Sequence, residues 1–356
     1  MSPLSYPGLK TVFEHIEANW RIHITTRCPS LCTIDKVTPL HLRRLLFKTN
    51  EITLNEINYT VFNSRKQDLG PNPRYALESG DIPLNGYTAK SFNGYAHPHR
   101  KAGLKIQIHT DNRMVTRRVP EMYEDCHEAV RELIGFLLGG RLLITVDILG
   151  FCFDSSPVVV RLPLGLKFKA RLLDVGGHNI ESFAPLLTES SLPLKSIVID
   201  GLSRKKLKHP VLQRARGIYI DNPRLATETG MRHFQRLNNP AIRLNSKEVT
   251  VNELLKIARC WVEHGKEKCT YLFVARWNRK GVEELVKKAK EMFGVNYVKM
   301  QNAWRQLPNS RCVAIPIKPS PDTVLVIHRS EDLFSANMAV AVMRVISSDL
   351  VTTLIS

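Results

Sequence analysis

The C-terminal part of the chain alternates strand-like and helix-like segments, and this alternation constrains the fold most. The strand-like segments are centred on Leu172, Val198, Tyr219 and Arg243, at steps of 26, 21 and 24 residues. Helical apolar spacing lies between them and is clearest in "TVNELLKIARCWVEHG", residues 250–265, which predicts a well-capped amphipathic helix. The pattern therefore predicts a layer of stacked strand–helix units.

The steps fall in the range of leucine-rich-type repeats, which are about 20–29 residues long. The strict leucine and asparagine signature of those repeats is absent, so we predict a degenerate leucine-rich-repeat-like α/β layer over residues 151–356. Stacked units of this kind present an extended surface that is suited to protein binding.

The first part of the chain has another pattern. Residues 1–35 have the apolar spacing of two short helices. Residues 40–62 roughly alternate apolar and polar side chains on both sides of Thr49–Asn50, which predicts two strands joined by a tight turn.

Residues 63–104 are rich in Gly, Pro, Asn and Ser and predict an irregular connection. A strand near residues 103–110, a helix closed by Gly139–Gly140 and a buried strand near 141–151 follow. We therefore predict an α+β fold in three parts: a helical module at 1–35, an α+β region at 36–150 with a small sheet, and the repeat-like domain at 151–356.

Positive charge is concentrated in one third of the chain. The formal net charge is +18, and residues 201–300 alone have 22 basic and 9 acidic side chains. A field of this sign attracts anionic partners, either nucleic acid or an acidic protein surface.

The densest basic segment runs from residue 204 to residue 216. It is either an interaction surface or a solvated connection between repeats, and it lacks the interleaved aromatic residues of single-strand binders. The strand position of Tyr219 indicates packing. The candidate residues for an anionic partner are Arg204, Lys205, Lys206, Lys208, Arg214 and Arg216.

No catalytic constellation is present in the sequence. Phosphate-binding loops, dinucleotide fingerprints and nucleophile elbows are all missing. Asp174, His178 and Glu181 lie close together, but such a short polar cluster is typical of a turn. We therefore expect neither enzymatic activity nor a bound cofactor.

Metal binding is not expected either. Zinc needs four ligands, usually in two close pairs, and Cys28 and Cys32 have no second compact pair to complete a site. Cys260, His264 and Cys269 form another loose group. We predict free thiols, with Cys28 as a small packing residue near a helix end.

The sequence predicts an intracellular protein, cytoplasmic or nuclear. The seven cysteines are thinly spread, the start "MSPLSYPGLK" lacks the pattern of a signal peptide, and charged residues interrupt the longest apolar region. "HPHR", residues 97–100, predicts solvated histidines in a loop. We expect no membrane partner.

Several stretches resemble a nematode-expanded family that is known as domain of unknown function 3557. They include "PLSYPGLKTVFEHIEANWRIHITTRCPSL", "LLGGRLLITVDILGF", "LPLGLKFKARLL", "SLPLKSIVIDG" and "HPVLQRARGIYI". The resemblance covers most of residues 3–275 and implies no established activity.

The first 33 residues also resemble a divergent F-box, the helical module that docks a substrate receptor onto a cullin–RING ubiquitin ligase. The resemblance implies that the module's apolar positions contact a ubiquitin-ligase adaptor. These candidate docking residues are Leu4, Leu9, Val12, Phe13, Ile16 and Ile22.

Two functions follow as hypotheses. The first is a non-catalytic protein-interaction protein, a substrate receptor of a cullin–RING ligase whose basic repeat-like region selects an unknown target. The alternative is a nucleic-acid-associated basic protein, which the excess positive charge of residues 201–300 favours.

Overall fold

The chain forms two compact units. The structure is a computed structural model that describes residues 6–63, 80–84, 104–110, 113–118, 126–153, 159–246, 248–277, 279–300, 312–332 and 335–353. Unit 1 is Met1–Leu194 and unit 2 is Lys195–Ser356. Both combine helices with a large β-sheet, so the predicted α+β class is confirmed, while the three-part division of the chain stays a prediction.

Unit 1 begins with helices, as the apolar spacing predicts, and continues into strands. Its helices are α1 (Tyr6–His15), α2 (Ala18–Arg27), α3 (Cys32–Val37), α4 (Cys126–Leu138) and α5 (Ile180–Phe183). Its strands are β1 (Leu40–Phe47), β2 (Glu51–Leu54), β3 (Ile57–Asn63), β4 (Asp81–Pro83), β5 (Leu104–Thr110), β6 (Arg113–Arg118), β7 (Ile144–Phe151), β8 (Val159–Arg161) and β9 (Lys169–Asp174).

The main sheet of unit 1 has the strand order β9-β7-β1-β2-β3-β5-β6. Strands β9, β7 and β1 are parallel, and the neighbours from β1 to β6 are antiparallel. Stacked aromatic rings fill part of the core, with Phe151 4.0 Å from Phe183 and 5.3 Å from Phe47 between ring centroids. A separate two-stranded sheet pairs β4 with β8.

The strand pair predicted at residues 40–62 is in fact three strands. The turn after β1 is confirmed, but β2 ends at Leu54 and reverses into β3, where Leu54 pairs with Ile57. Asn55 turns the chain with a φ of +55°, a left-handed conformation that asparagine tolerates. The single second strand of the sequence prediction is therefore wrong.

Two other predictions for unit 1 need correction. The helical spacing between the strand centres Leu172 and Val198 predicts a helix over "IESFAPLLTESS", residues 180–191, but only the four residues of α5 are α-helical, and 3₁₀ turns follow at Ala184–Leu186 and Glu189–Ser191. Strand β6 was not predicted, because "RMVTRR" contains few apolar residues. The irregular connection predicted at 63–104 lies mostly outside the described residues, which include the short strand β4 there.

Unit 2 contains the predicted strand–helix alternation. Its helices are α6 (Arg204–Lys208), α7 (Pro210–Arg214), α8 (Glu228–Gln235), α9 (Val251–His264) and α10 (Arg279–Phe293). Its strands are β10 (Ser196–Asp200), β11 (Gly217–Asp221), β12 (Ala241–Asn245), β13 (Tyr271–Trp277), β14 (Tyr297–Met300), β15 (Cys312–Ile317), β16 (Ser320–Asp332), β17 (Ser335–Ser347) and β18 (Val351–Thr353).

Four parallel strands, β10 to β13, are neighbours in chain order. Val198, Tyr219 and Arg243, which the sequence places at three strand centres, pair with one another in register, and Arg243 pairs in turn with Phe273. The alternation of strands and helices is thus confirmed here, while the leucine-rich-repeat-like assignment stays a prediction.

The sheet of unit 2 continues from β13 through antiparallel strands in the order β17, β16, β15, β14 and β18. Helix α9 begins with the predicted cap: Thr250 and Glu253 form a capping box, and Glu253 accepts from the backbone N–H of Thr250 at 2.7 Å. Helices α9 and α10 pack on β15 and β16. In the described part of the chain, no helix is both long and apolar enough to cross a bilayer.

Candidate functional site

One face of the parallel sheet in unit 2 is lined by aromatic and arginine side chains. Strand alternation sends Ile218, Ile220 and Leu244 to the opposite face, where they are fully buried. The remaining face has half-buried side chains from four neighbouring strands. We call it the sheet face and define it by Tyr219, Arg243, Tyr271, Phe273 and Arg344.

Aromatic contacts hold these side chains in place. The guanidinium carbon of Arg243 lies 5.8 Å from the centroid of the Tyr219 ring, a distance at which a cation is attracted to the ring face. The rings of Tyr271 and Phe273 meet edge to face at 5.0 Å. Four of the five sheet-face side chains thus contact one another in two pairs.

Arg344 has a hydrogen-bond donor that lacks a partner among the described residues. It lies on β17 directly beside Tyr271, and the donor is its buried Nε. Burial raises the pKa of the Tyr271 phenol, Tyr219 raises it further, and the Arg344 charge opposes both. The phenol is therefore a protonated hydrogen-bond donor at neutral pH.

The basic segment of residues 204–216 forms helices α6 and α7, so the connection predicted there is helical. Its side chains Arg204, Lys205, Lys208, Arg214 and Arg216 are exposed. Lys206 differs, because its Nζ donates to the carbonyl oxygen of Asp200 at 2.6 Å and burial lowers its pKa. Five of the six predicted cations thus point toward solvent.

The predicted docking residues of the N-terminal helices fall into three groups. Phe13 and Ile22 are buried in the core of unit 1, and Leu9 and Ile16 are half-buried. Val12 is 43% exposed, while Leu4 lies outside the described residues.

Sequence reasoning missed the most exposed apolar residue of these helices, Trp20, which is 63% exposed and contacts His23 edge to face at 5.7 Å. Val12 and Trp20 therefore present apolar surface from α1 and α2. The docking role of the predicted residues stays a prediction.

A buried ion cluster fixes these helices. Arg21, from α2, donates from Nε to Oδ1 of Asp35 at 2.8 Å, and Arg141 donates from Nη2 to Oδ2 of the same carboxylate at 2.8 Å. The remaining nitrogens of Arg21 donate to carbonyl oxygens of Asp35, Thr38 and Pro39. Burial alone would raise the pKa of Asp35, but the two arginines outweigh it and hold that pKa below its usual value.

The start of α2 is fixed by a second polar network. Glu17 caps the helix by accepting from the backbone N–H groups of Asn19 and Trp20. Asn19 donates to the carbonyl oxygen of Leu54 at 3.1 Å and accepts from the Tyr59 hydroxyl at 3.0 Å. Burial, with a smaller effect from Glu17, raises the pKa of Tyr59 to about 12. The exposed side of α2 is therefore presented at a fixed orientation.

Cys28 and Cys32 of the first cysteine cluster, and Cys260 and Cys269 of the second, lie in the described residues. Among the described residues, no three His, Cys, Asp or Glu side chains are grouped so that they could hold a metal ion. Cys28 is exposed, so its predicted packing role is wrong, and Cys32 is half-buried with its Sγ 3.6 Å from the Thr25 carbonyl oxygen. His97, His99 and Arg100 lie outside the described residues.

Cys260 and His264 line a shallow groove of about 530 Å³ between α8 and α9. Burial raises the pKa of the Cys260 thiol, which keeps it in the unreactive protonated form. His264 places Nδ1 3.1 Å from the carbonyl oxygen of Cys260.

The polar trio Asp174, His178 and Glu181 lies around a turn. Asp174 accepts from the backbone N–H of Gly176 at 3.0 Å, which is a turn-type contact. His178 is buried, with its ring 6.1 Å from that of Phe183.

The sheet face was also missed by sequence reasoning, although a signal exists. In "YLFVARW", alternation places Tyr271 and Phe273 on one face and the buried Leu272 and Val274 on the other. Arg344 is the single charged residue in the apolar run "MAVAVMRVIS" of β17. Their assembly with Tyr219 and Arg243 depends on strand order, which the sequence does not state.

The family comparison agrees with part of the sequence resemblance. Residues 125–275 match the profile of a family that is described as a domain of unknown function (DUF3557), so that this part of the chain is similar to that family. The matched residues include every sheet-face residue except Arg344. No curated protein and no solved structure gives a significant match to the chain. The nematode expansion and the F-box-like start stay predictions.

Proposed function

We propose that the protein is a non-catalytic interaction protein that acts as a substrate receptor of a cullin–RING ubiquitin ligase. Helices α1 and α2 dock an adaptor, and unit 2 selects the target. The observation that carries the proposal is the pair of exposed apolar side chains, Val12 and Trp20, on helices whose other side is fixed in the core.

Exposure of a large aromatic residue supports a binding role for this surface. Tryptophan is among the residues that contribute most to protein interfaces, because it buries a large area at little cost in rotamer entropy. The polar networks around Arg21 and Asn19 hold α2 in one orientation, so Trp20 can bind a partner without first ordering the helix.

Unit 2 supports the target-selecting half of the proposal. Its parallel strands present planar aromatic and arginine groups in register, and both residue types are enriched at the centres of protein interfaces. The exposed cations of α6 and α7 add a positive field that speeds encounter with an acidic partner.

Affinity purification of the full chain tests the adaptor-docking half. We expect the unaltered chain to recover a known cullin–RING adaptor, and the double variant Val12→Ala/Trp20→Ala to lose it. Leu164→Ala is the matched control, because Leu164 is also in unit 1 and also strongly exposed but lies outside the helices. Recovery of the adaptor by the double variant, or of no adaptor by the unaltered chain, would refute the docking role.

A nucleic-acid-associated function is a second candidate, favoured by the five exposed cations of residues 204–216. Phosphate binding predicts an affinity that falls steeply with salt. A filter-retention assay with single-stranded and duplex DNA at low and moderate salt checks this. An absence of retention at low salt removes the candidate.

A further inference from the structure

We infer that the sheet face of unit 2 binds an extended acidic segment of a protein partner, with a carboxylate side chain held by Arg344 and Arg243. The inference rests on the proposed function, since it names the chemistry of the target that unit 2 would select. It places the target-binding site on the sheet face and not on the basic helices α6 and α7.

The two arginines are placed on opposite sides of one strand. Arg243 on β12 pairs with Phe273, and Arg344 on β17 pairs with Tyr271, so the two arginines belong to the strands on either side of β13. Paired residues of neighbouring strands point to the same face, and two strand spacings amount to about 10 Å. A ligand that lies over Tyr271 and Phe273 is therefore between the two arginine-bearing strands, and Arg243 would turn from the Tyr219 ring to reach it.

Arg344 points to an anionic ligand. Its Nε is buried and has no partner among the described residues, whereas buried polar groups in folded proteins are almost always hydrogen-bonded. A carboxylate accepts two parallel N–H groups of one guanidinium and supplies the missing partner. Tyr271, whose phenol stays protonated, offers a further donor beside it.

The surroundings favour a peptide over a nucleic acid. The parallel strands end in Asp200 and Asp221, which accept from the side-chain amides of Asn222 and Asn245 at 2.9 and 2.6 Å. These carboxylates lie at one edge of the sheet face and would repel the continuous charge of a phosphate backbone. A segment with only one or two carboxylates, and apolar side chains for Phe273, avoids that repulsion.

Fluorescence anisotropy with defined probes tests the inference on the full chain. The probes are a labelled peptide of Gly, Ser and Phe with two Glu residues, the same peptide with Gln in place of Glu, and an oligothymidylate of similar length. We expect the Glu peptide to bind most tightly and Arg344→Met to weaken it at least about tenfold. Arg214→Met is the control, because the Arg214 side chain is exposed on α7, and it should change the affinity by less than about twofold.

Equal binding of the Glu and Gln peptides would overturn the inference, as would an Arg344→Met variant that binds normally. Tightest binding of the oligothymidylate would assign the face to nucleic acid instead. If Arg344→Met does not fold, Arg243→Gln gives the same test from the other side of β13. Because the double variant Val12→Ala/Trp20→Ala should bind the Glu peptide normally, failure of adaptor docking and failure of this inference give different results.

Discussion

Buried arginines occur in both units, but their surroundings differ. In unit 1, the side chain of Arg21 is 1% exposed and its nitrogens donate to Asp35 and to three carbonyl oxygens. In unit 2, Arg344 is half-buried on a sheet and leaves its buried Nε without a partner among the described residues. One guanidinium is satisfied within the fold and the other is not.

This difference separates a structural role from a binding role. All three side-chain nitrogens of Arg21 donate hydrogen bonds that join α2 to α3 and to the residues after it, and removal of one partner of such a buried ion pair is strongly destabilising. A buried donor without a partner costs stability in the free protein, and a ligand that pairs it recovers that cost on binding. Thus we expect mutations at the two arginines to have opposite effects on folding and on binding.

Replacement of each arginine by methionine is the strongest test of this difference. Arg21→Met leaves the buried carboxylate of Asp35 with one cation and removes one donor from each of three carbonyl oxygens, so we expect a loss of about 3–5 kcal/mol in the free energy of unfolding. Arg344→Met removes an unpaired donor, and we expect a change within about 1 kcal/mol or a gain.

Urea denaturation of both variants, followed by circular dichroism, measures the effects. The exposed pair Arg43–Glu56, at 3.0 Å, provides the control for loss of an ion pair alone. Equal destabilisation by Arg21→Met and Arg344→Met would contradict the distinction between the two sites.

The second-largest effect is expected from acid, which should weaken the buried ion cluster around Asp35. The folded pKa of Asp35 lies below its usual value, which in the unfolded chain is about 3.9, so the folded state binds the proton less readily. The stabilisation by this carboxylate is therefore complete above the unfolded pKa and is lost as the pH falls through the lower folded pKa.

Urea midpoints of the unaltered chain and of Asp35→Asn, measured from pH 6 down to pH 2.5, check this expectation. The stability advantage of the unaltered chain should be constant near pH 6 and should shrink below about pH 4. An advantage that does not change with pH would show that folding does not lower the pKa of Asp35.

The sequence predicts much of the fold because local patterns specify it. Alternating apolar residues locate the strand centres Val198, Tyr219 and Arg243, and the Thr250–Glu253 spacing locates a helix start. The prediction fails where a single polar residue determines a turn, as at Asn55, whose left-handed φ reverses the chain within an apolar run.

The candidate site could be predicted only in part, since it depends on contacts between distant strands. Arg344 and Tyr271 are 73 residues apart and meet only because β17 pairs antiparallel with β13. Likewise, the apolar spacing of α1 does not say which positions remain exposed, because the tertiary contacts of Phe13 and Ile22 decide that. The density of positive charge predicts a site at residues 204–216, but it does not indicate which buried hydrogen-bond donor lacks a partner.

A smaller effect is expected from the second network of unit 1. Tyr59→Phe removes the hydroxyl that donates to Asn19 at 3.0 Å and leaves one buried acceptor with a partner fewer. We expect a loss of about 1–2 kcal/mol in unfolding free energy, below that of Arg21→Met, because no charge is left unpaired. Urea denaturation measures it, and the adaptor recovered by affinity purification should not change.

The smallest effect should come from the exposed pair of Arg43 and Glu56, whose side chains are 75% and 66% exposed. Their 3.0 Å contact resembles that of Arg21 with Asp35 in distance but not in burial. We expect Glu56→Ala to change the free energy of unfolding by less than about 1 kcal/mol, and the change to vanish at high salt. If it destabilises as much as Arg21→Met does, then contact distance and not burial governs the contribution of these ion pairs to stability.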